Sequence, residues 1–216
     1  MRKPIALLLF ISITMLNCNK PGEFYHEVQI GNQVWMRNNL NVTSFRNGDP
    51  IPEAKSAKEW AIAGEKMQPA WCYYKNDTRS NRMKFGKLYN YHAIIDSRGL
   101  APLGWRIPSN DDYNKLLEYV DPHADPYAIK FLAIGQGNLP IGFLDSFQCV
   151  AAGMRFEKGE FNEDVSIPLN SSFWTSIKLI NNEFPTVFTI DTIDENIIYK
   201  ELAVMGEGHS VRCVKD

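Results

Sequence analysis

One stretch of the chain combines aromatic rings with amide, carboxylate and guanidinium groups. It reads "YYKNDTRSNRMKFG". Tyrosine rings can stack on sugar rings while neighbouring polar side chains hydrogen-bond the sugar hydroxyls, and recognition residues are often carried by loops. The stretch therefore predicts a ligand-binding surface, whose candidate residues are Tyr73, Tyr74, Asn76, Asp77 and Arg79. In the alternative interpretation the tyrosines belong to a core and the polar loop is merely solvated.

Residues that could support catalysis or bind a metal do not form a recognisable pattern. Asp111 and Asp112 are adjacent, but neighbours in the first turn of a helix point apart, so stabilisation of the helix dipole explains them better than a catalytic pair. The histidines lack the H-x-x-x-H and H-E-x-x-H spacings of zinc sites; they are His26, His92, His123 and His209. We therefore predict no catalytic residue, no metal site and no cofactor, and we expect that the protein is not an enzyme.

The overall composition is that of a globular protein with nearly balanced charge. The chain has 216 residues, of which 44% are hydrophobic and 22% charged, and its formal net charge is -2. This length is enough for one sizeable core. Recognition of nucleic acid requires a clustered excess of lysine and arginine, and the sequence contains no basic run. A nucleic-acid partner is therefore not expected.

The N-terminus carries the strongest local signal. Arg2 and Lys3 precede "IALLLFISITML", an apolar run of the length of a signal-peptide core that is too short to cross about 30 Å of hydrocarbon as a helix. The run ends at "MLNC", which resembles the cleavage motif of bacterial lipoproteins and predicts lipidation at Cys18. Residues 1–17 would be the signal peptide and residues 18–25 a short tether. Secretion with cleavage at another site and a buried segment with an incidental cysteine remain open.

The periodicity of the sequence after the tether predicts short elements. "FYHEVQIGNQVWMRNNL" alternates around Gly31 and Asn32, as expected for a hairpin with a type II′ turn. Ser56 and Glu59 form the pattern of a capping box at the start of a short helix, with Ala57, Trp60 and Ala61 on one face. The runs "PAWCYYKND" and "GKLYNYHAIID" are typical of aromatic strands.

The clearest helix is predicted within "WRIPSNDDYNKLLEYVD", where Ser109 is the expected N-cap. Its apolar positions fall at the spacing of one helical face, and they are Tyr113, Leu116, Leu117 and Val120. "DPYAIKFLA" predicts a weaker helix, and the rest of the chain predicts strands in "FQCVAAGMRF", "SFWTSI", "TVFTIDTI", "NIIYKEL" and "HSVRCV". Helices early and antiparallel strands late indicate a single α+β domain.

Five segments in order resemble the Fibrobacter succinogenes major paralogous domain family. They are "VQIGNQVWMRNNLNVTSFRNGDPIP", "AWCYYKND", "GKLYNYHAIIDSRGLAPLGWRIPSNDDYNKLLEYV", "FWTS" and "GHSVRCVKD". The resemblance covers nearly the whole chain after the tether, so the domain is expected over residues 26–216. It implies a bacterial surface or secreted protein with a C-type-lectin-like or formylglycine-generating-enzyme-like architecture, in which a twisted antiparallel sheet carries two or three short helices and long loops.

The chain departs from the family pattern at Ala101, where members commonly have a cysteine. If Cys18 is lipidated, three cysteines remain. A Cys149–Cys213 disulfide is favoured over Cys72–Cys213, and three reduced, buried thiols remain an open alternative. The calcium-binding loops of C-type lectins, with their Glu-Pro-Asn or Gln-Pro-Asp and Trp-Asn-Asp motifs, do not occur. Calcium-dependent sugar binding by that route is therefore not expected.

These observations favour a lipid-anchored binding or adhesion module of the bacterial cell envelope, held at the outer membrane. Its expected partners are the membrane, through the N-terminal lipid, and a glycan or an envelope protein. Two alternatives remain at this point. One is an enzyme or an accessory factor of polysaccharide breakdown on the same architecture, and the other is a structural subunit of an envelope assembly.

Overall fold

The computed structural model describes residues 25–77, 85–120, 147, 150, 152–162, 170–176, 184–191 and 198–216. Within these ranges the chain forms three small antiparallel sheets and three α-helices, which confirms the single-domain α+β prediction. The C-type-lectin-like detail of that prediction stays a prediction. The predicted signal peptide, the lipidation site Cys18 and the segment "DPYAIKFLA" lie outside the described residues.

The first sheet is built around the predicted hairpin. Strand β1 (Glu27–Ile30) pairs with β2 (Gln33–Met36), and the sheet continues with β10 (Val214–Lys215) and β5 (Trp105–Arg106) in the order β1-β2-β10-β5. Gly31 has a φ of 57°, as the first central residue of a type II′ turn requires. Trp35 is paired with Val28 on one side and Val214 on the other, so it lies completely buried at the centre of the sheet.

The second sheet contains β3 (Trp71–Cys72), β4 (Leu88–Asn90) and β9 (Gly208–His209), in that order. It is preceded by helix α1 (Ala57–Glu65), whose capping box is present as predicted. The Ser56 Oγ accepts the Glu59 N–H at 3.2 Å, and Glu59 Oε2 accepts the Ser56 N–H at 3.0 Å. Trp60 is the buried residue of the helix, whereas Ala57 is exposed, so the predicted face is only partly correct.

A short helix replaces part of a predicted strand after β4. Within "GKLYNYHAIID", residues Tyr91–Ile94 form helix α2. Asn90 caps this helix, and the backbone turns away from the sheet there. The Asn90 Oδ1 accepts the N–H groups of Ala93 at 3.2 Å and Ala70 at 3.0 Å. Its Nδ2 donates to the Gln68 carbonyl at 2.8 Å, so one buried amide satisfies three backbone groups.

The clearest predicted helix is confirmed as α3 (Asn110–Val120). Ser109 caps it reciprocally with Asp112: Ser109 Oγ accepts the Asp112 N–H at 3.2 Å, and Asp112 Oδ2 accepts the Ser109 N–H at 2.8 Å. Tyr113 and Leu116 are fully buried, as the apolar spacing predicts. Asp111 is exposed while Asp112 is buried, so the two carboxylates point apart as expected.

The third sheet contains β6 (Asn170–Trp174), β7 (Thr186–Asp191) and β8 (Ile198–Leu202), at the predicted strand positions. Two other late predictions are wrong in part. "FQCVAAGMRF" contributes only single bridges at Arg155, because the described part of this segment turns at Gly153, where φ is 65°. "HSVRCV" divides between β9 and β10, and thus between two sheets.

The core consists of three apolar clusters between these sheets and helices. The largest contains Trp71, Trp105 and Trp174, and the second contains Trp35, Tyr113 and Phe188. Trp35, Trp105 and Trp174 are 0%, 6% and 0% exposed, so these large rings form much of the interior. The third cluster joins α1 to the second sheet through Trp60, Cys72 and Tyr74.

The cysteine positions give no support to the predicted disulfide. Cys213 is a free thiol that lies completely buried in the largest core cluster, and Cys72 is likewise free and buried. Cys149, the predicted partner of Cys213, lies outside the described residues. Burial raises the pKa of both described thiols to about 12, so neither is a nucleophile at neutral pH.

Candidate functional site

The predicted binding loop begins with a tight turn of unusual backbone conformation. Residues Tyr74–Asn76 form a single tight turn one residue after β3, and its backbone is not helical at Lys75. Lys75 and Asn76 have φ values of 52° and 54°, in the left-handed region that residues other than glycine seldom adopt. Such conformations cost free energy and are maintained only where the surrounding structure fixes them. The turn therefore holds two exposed polar side chains in an enforced arrangement.

Tyr73 and Tyr74 do not present their rings to solvent, which corrects the predicted stacking surface. Tyr73 is 6% exposed and packs edge-on against Trp71, with 5.3 Å between ring centroids. Tyr74 is 4% exposed, and its hydroxyl donates to the Asn162 carbonyl at 2.8 Å. Both rings belong to the core, Tyr73 to its largest cluster and Tyr74 to the cluster that joins α1 to the second sheet.

The polar candidates have different positions. The side chain of Asn76 is exposed and that of Asp77 is half-buried, whereas Arg79 lies outside the described residues. Lys75, which the sequence did not single out, is exposed between the two tyrosines and Asn76. Of the predicted residues, the structure thus leaves Asn76 exposed and Asp77 half-buried, with the exposed Lys75 next to them.

A completely buried arginine contacts the turn from the interior of the protein. Arg155 Nη1 donates to the Ala54 carbonyl at 3.0 Å and lies 3.5 Å from Asn76 Oδ1, while Nε donates to the Gly159 carbonyl at 2.9 Å. Its guanidinium also lies over the rings of Trp60, at 5.0 Å, and Phe161, at 4.6 Å. Arg155 therefore connects three segments of the chain, at residues 54, 76 and 159.

Arg155 has no carboxylate partner in the described structure, and its Nη2 is buried without a hydrogen bond. Amide dipoles and ring faces replace the counterion, as is possible when several of them converge on one cation. The site also depends on two glycines. A Cβ at Gly153 would lie 2.4 Å from the Tyr74 ring, and one at Gly208 would lie 2.7 Å from Trp60.

Sequence reasoning did not identify Arg155 as part of the site. It stands in "GMRFEKGE", 79 residues after Asn76 along the chain, and nothing in that spacing indicates contact. A single arginine next to a phenylalanine is ordinary in any surface strand. The one weak signal is the pair Gly153 and Gly159 on either side, which indicates turns close to other parts of the chain.

The remaining titratable groups fit structural roles. No group of three or more histidine, cysteine or carboxylate side chains in the described ranges could hold a metal ion. His209 lies 3.3 Å from Glu207 and contacts the Trp174 ring edge-on. Burial lowers the pKa of His92. None of the helices of the part described here has the length and apolarity needed to cross a bilayer.

The family assignment follows from the comparison with family sequence models. The Fibrobacter succinogenes major domain matches residues 28–215, from β1 to β10. The chain belongs to this family, as the five ordered segments predict. No curated protein and no solved structure matches it.

Proposed function

We propose that the protein is a lipid-anchored binding module of the bacterial cell envelope and not a catalyst. Cys18 supplies the anchor, and the turn that carries Lys75, Asn76 and Asp77 recognises a polar ligand, with a glycan as the first candidate. The observation that carries the proposal is the enforced left-handed conformation of Lys75 and Asn76 above the buried Arg155.

Two features support recognition of an uncharged polar ligand. The turn carries an exposed ammonium, an exposed amide and a half-buried carboxylate, so its formal charges balance. The exposed charges that follow Arg155 in the chain are also of both signs, and they belong to Glu157, Lys158 and Glu160. Such a surface offers both donors and acceptors, which is what the hydroxyl groups of a sugar require.

A glycan array provides the first test. Residues 18–216 with Cys18→Ser, produced as a soluble protein, would be screened with and without Ca²⁺. We expect saturable binding that does not depend on Ca²⁺, and binding at least about tenfold weaker in Asn76→Gly, which corresponds to about 1.4 kcal/mol. Glycine accepts a φ of 54°, so this substitution removes the amide without straining the backbone.

Met67 provides a matched control. It also has a left-handed conformation, with a φ of 53°, and its side chain is 75% exposed in the turn after α1. Met67→Gly should fold normally and leave ligand binding unchanged. No binding by a folded, monodisperse protein, or equal binding by Asn76→Gly, would overturn the proposed site.

One observation favours the structural-subunit alternative as a second candidate. Leu202 at the end of β8 pairs with Thr186 at the start of β7. Phe184 lies two residues before Thr186, and Val204 lies two residues after Leu202. Their exposed fractions are 44%, 63% and 45%, so three large apolar side chains lie at one end of the third sheet. Cross-linking in intact envelopes through a photoreactive residue at position 184 tests this role, and an absence of adducts at that position would count against it.

A further inference from the structure

A rigid turn presents the most exposed large apolar side chain in the described part of the chain. Leu103 is 81% exposed at the tip of the turn Pro102–Trp105, in which the Trp105 N–H donates to the Pro102 carbonyl at 3.0 Å. Gly104 has a φ of 81°, the value that a type II turn needs at its third position. The turn chemistry thus directs Leu103 outward instead of into the core.

Groups from two distant segments of the chain hold this turn. Arg46 Nε donates to the Ala101 carbonyl at 2.9 Å, and its Nη2 donates to the Trp105 carbonyl at 3.2 Å. The Asp216 N–H donates to the Gly104 carbonyl at 3.2 Å. Because carbonyls before and after Leu103 are both bound, the exposed leucine does not result from a loosely held loop.

The described chain begins beside the same turn. The ring of Tyr25 packs edge-on against Trp105, with 6.2 Å between centroids. Cys18 precedes Tyr25 by seven residues, which reach at most about 25 Å however they are arranged. A lipid on Cys18 would therefore keep Tyr25, Trp105 and the Leu103 turn close to the membrane surface.

We infer that Leu103 inserts into the lipid–water interface of the membrane that holds the anchor. This inference rests on the proposed lipidation of Cys18. The turn then works as a second, non-covalent contact that fixes the orientation of the domain on the membrane. One acyl-linked cysteine alone would leave the domain free to rotate about its tether.

The charges around the turn identify the kind of contact. Lys215 lies 5.7 Å above the Trp105 ring but pairs with Glu27 at 2.8 Å, and Asp216 adds a carboxylate. Arg46, which donates to carbonyls on both sides of the turn, has no carboxylate partner in the described structure. The surface is thus not strongly basic, and insertion of the apolar tip should depend little on anionic lipid.

Fluorescence of a labelled full-length chain tests the inference. The chain would be processed in a bacterium that makes lipoproteins, purified and reconstituted in vesicles of phosphatidylethanolamine and phosphatidylglycerol. Leu103→Cys in a Cys149→Ser background would be labelled with nitrobenzoxadiazole, because the native thiols Cys72 and Cys213 are buried and unreactive. Met67→Cys is the matched control, since Met67 is 75% exposed and stands in a different turn, directly after α1.

We expect emission from position 103 to shift to shorter wavelength on vesicles and to be quenched by lipids with nitroxide on the acyl chain. Emission from position 67 should show neither effect. If mass spectrometry shows acylated Cys18 but position 103 behaves like position 67, the anchor stands and the inference is wrong. If Cys18 is not acylated and the chain does not float with vesicles, the proposed anchor fails and the inference fails with it. If the label at position 103 already emits at the shorter wavelength in the unlipidated Cys18→Ser chain without vesicles, position 103 contacts protein and the inference is wrong.

Discussion

Cationic side chains occupy the interior of this protein in aromatic and carbonyl surroundings. Arg155, Arg212 and Lys87 are 0%, 0% and 2% exposed. Arg212 donates to the Arg37 carbonyl at 2.7 Å and lies 4.4 Å from the centre of the Phe147 ring. Lys87 donates to the Asn41 carbonyl at 2.7 Å and lies 4.6 Å from the centre of the Trp71 ring. Each cation thereby connects segments that are far apart in the chain.

The Arg155→Lys substitution tests whether the guanidinium geometry itself is required. A lysine keeps the charge but cannot bond the carbonyls of Ala54 and Gly159 together while lying flat on two rings. We expect the free energy of unfolding to fall by about 3 kcal/mol, measured by urea denaturation.

Arg46→Lys is the matched control, because Arg46 also donates to two carbonyls but is exposed. It should lower the free energy of unfolding by about 0.5 kcal/mol. Equal losses in the two variants would show that burial of Arg155 adds nothing to its role.

At the scale of elements, the N-terminus of α3 shows how a helix start is tied to a sheet. Asp112 accepts hydrogen bonds from Ser109 in its own cap and from Gln33 Nε2, at 3.1 Å, in β2. It also pairs with Arg106 in β5, where Arg106 Nη2 donates to Asp112 Oδ1 at 2.8 Å. One carboxylate thus fixes the helix against both inner and edge strands of the first sheet.

This cap makes stability depend on pH in a defined direction. Burial acts to raise the pKa of Asp112, but the hydrogen bonds from Arg106 and Ser109 outweigh it and lower the pKa to about 2. The side chain of an aspartate in the unfolded chain has a pKa of about 3.9. The ionised carboxylate therefore stabilises the fold above about pH 4, and this contribution is lost as the pH falls from about 4 to about 2.

We expect Asp112→Asn to lower the free energy of unfolding by about 1.5–3 kcal/mol at pH 7, with the difference shrinking toward pH 2. Urea denaturation at a series of pH values measures it. The exposed neighbour provides the control, since Asp111→Asn should change stability by about 0.5 kcal/mol or less. A difference for Asp112→Asn that stays constant down to pH 2 would contradict this account.

At the scale of the whole molecule, the last residues of the chain join the sheets together. β9 pairs with β4 in the second sheet, and β10, five residues later, lies between β2 and β5 in the first. A bridge from Ser210 to Phe173 adds a contact with the third sheet. The family match extends to residue 215, so it includes this closing segment.

The reactivity of the Cys72 and Cys213 thiols tests whether the sheets are joined in the folded protein. Both lie in the core, so iodoacetamide at pH 8 should leave them unmodified in the native protein and modify them after unfolding in guanidinium chloride. Peptide mass spectrometry gives the outcome, and treatment with a reductant before the reaction should not change it. A non-reduced peptide pair that links Cys213 to Cys149 or to Cys72 would contradict the free thiol.

The sequence by itself determined the local elements and the family. Hairpin, caps and the apolar face of α3 follow from interactions between residues at most a few positions apart, which periodicity reveals. The family follows from ordered segments along one chain. The same local reasoning placed Tyr73 and Tyr74 at a surface, and made a strand of the residues that Asn90 caps as a helix.

Only the tertiary structure decided which of these groups remain accessible. Arg155 and Asn76 are 79 positions apart, and the division of "HSVRCV" between two sheets depends on partners more than 100 residues earlier. Contacts at such separations leave no periodic trace, because each is made once by one pair of side chains. The sequence therefore predicted Asn76 and Asp77 as polar groups that could recognise a ligand, whereas only the fold showed that the rings of Tyr73 and Tyr74 are buried and that Lys75 is exposed beside them.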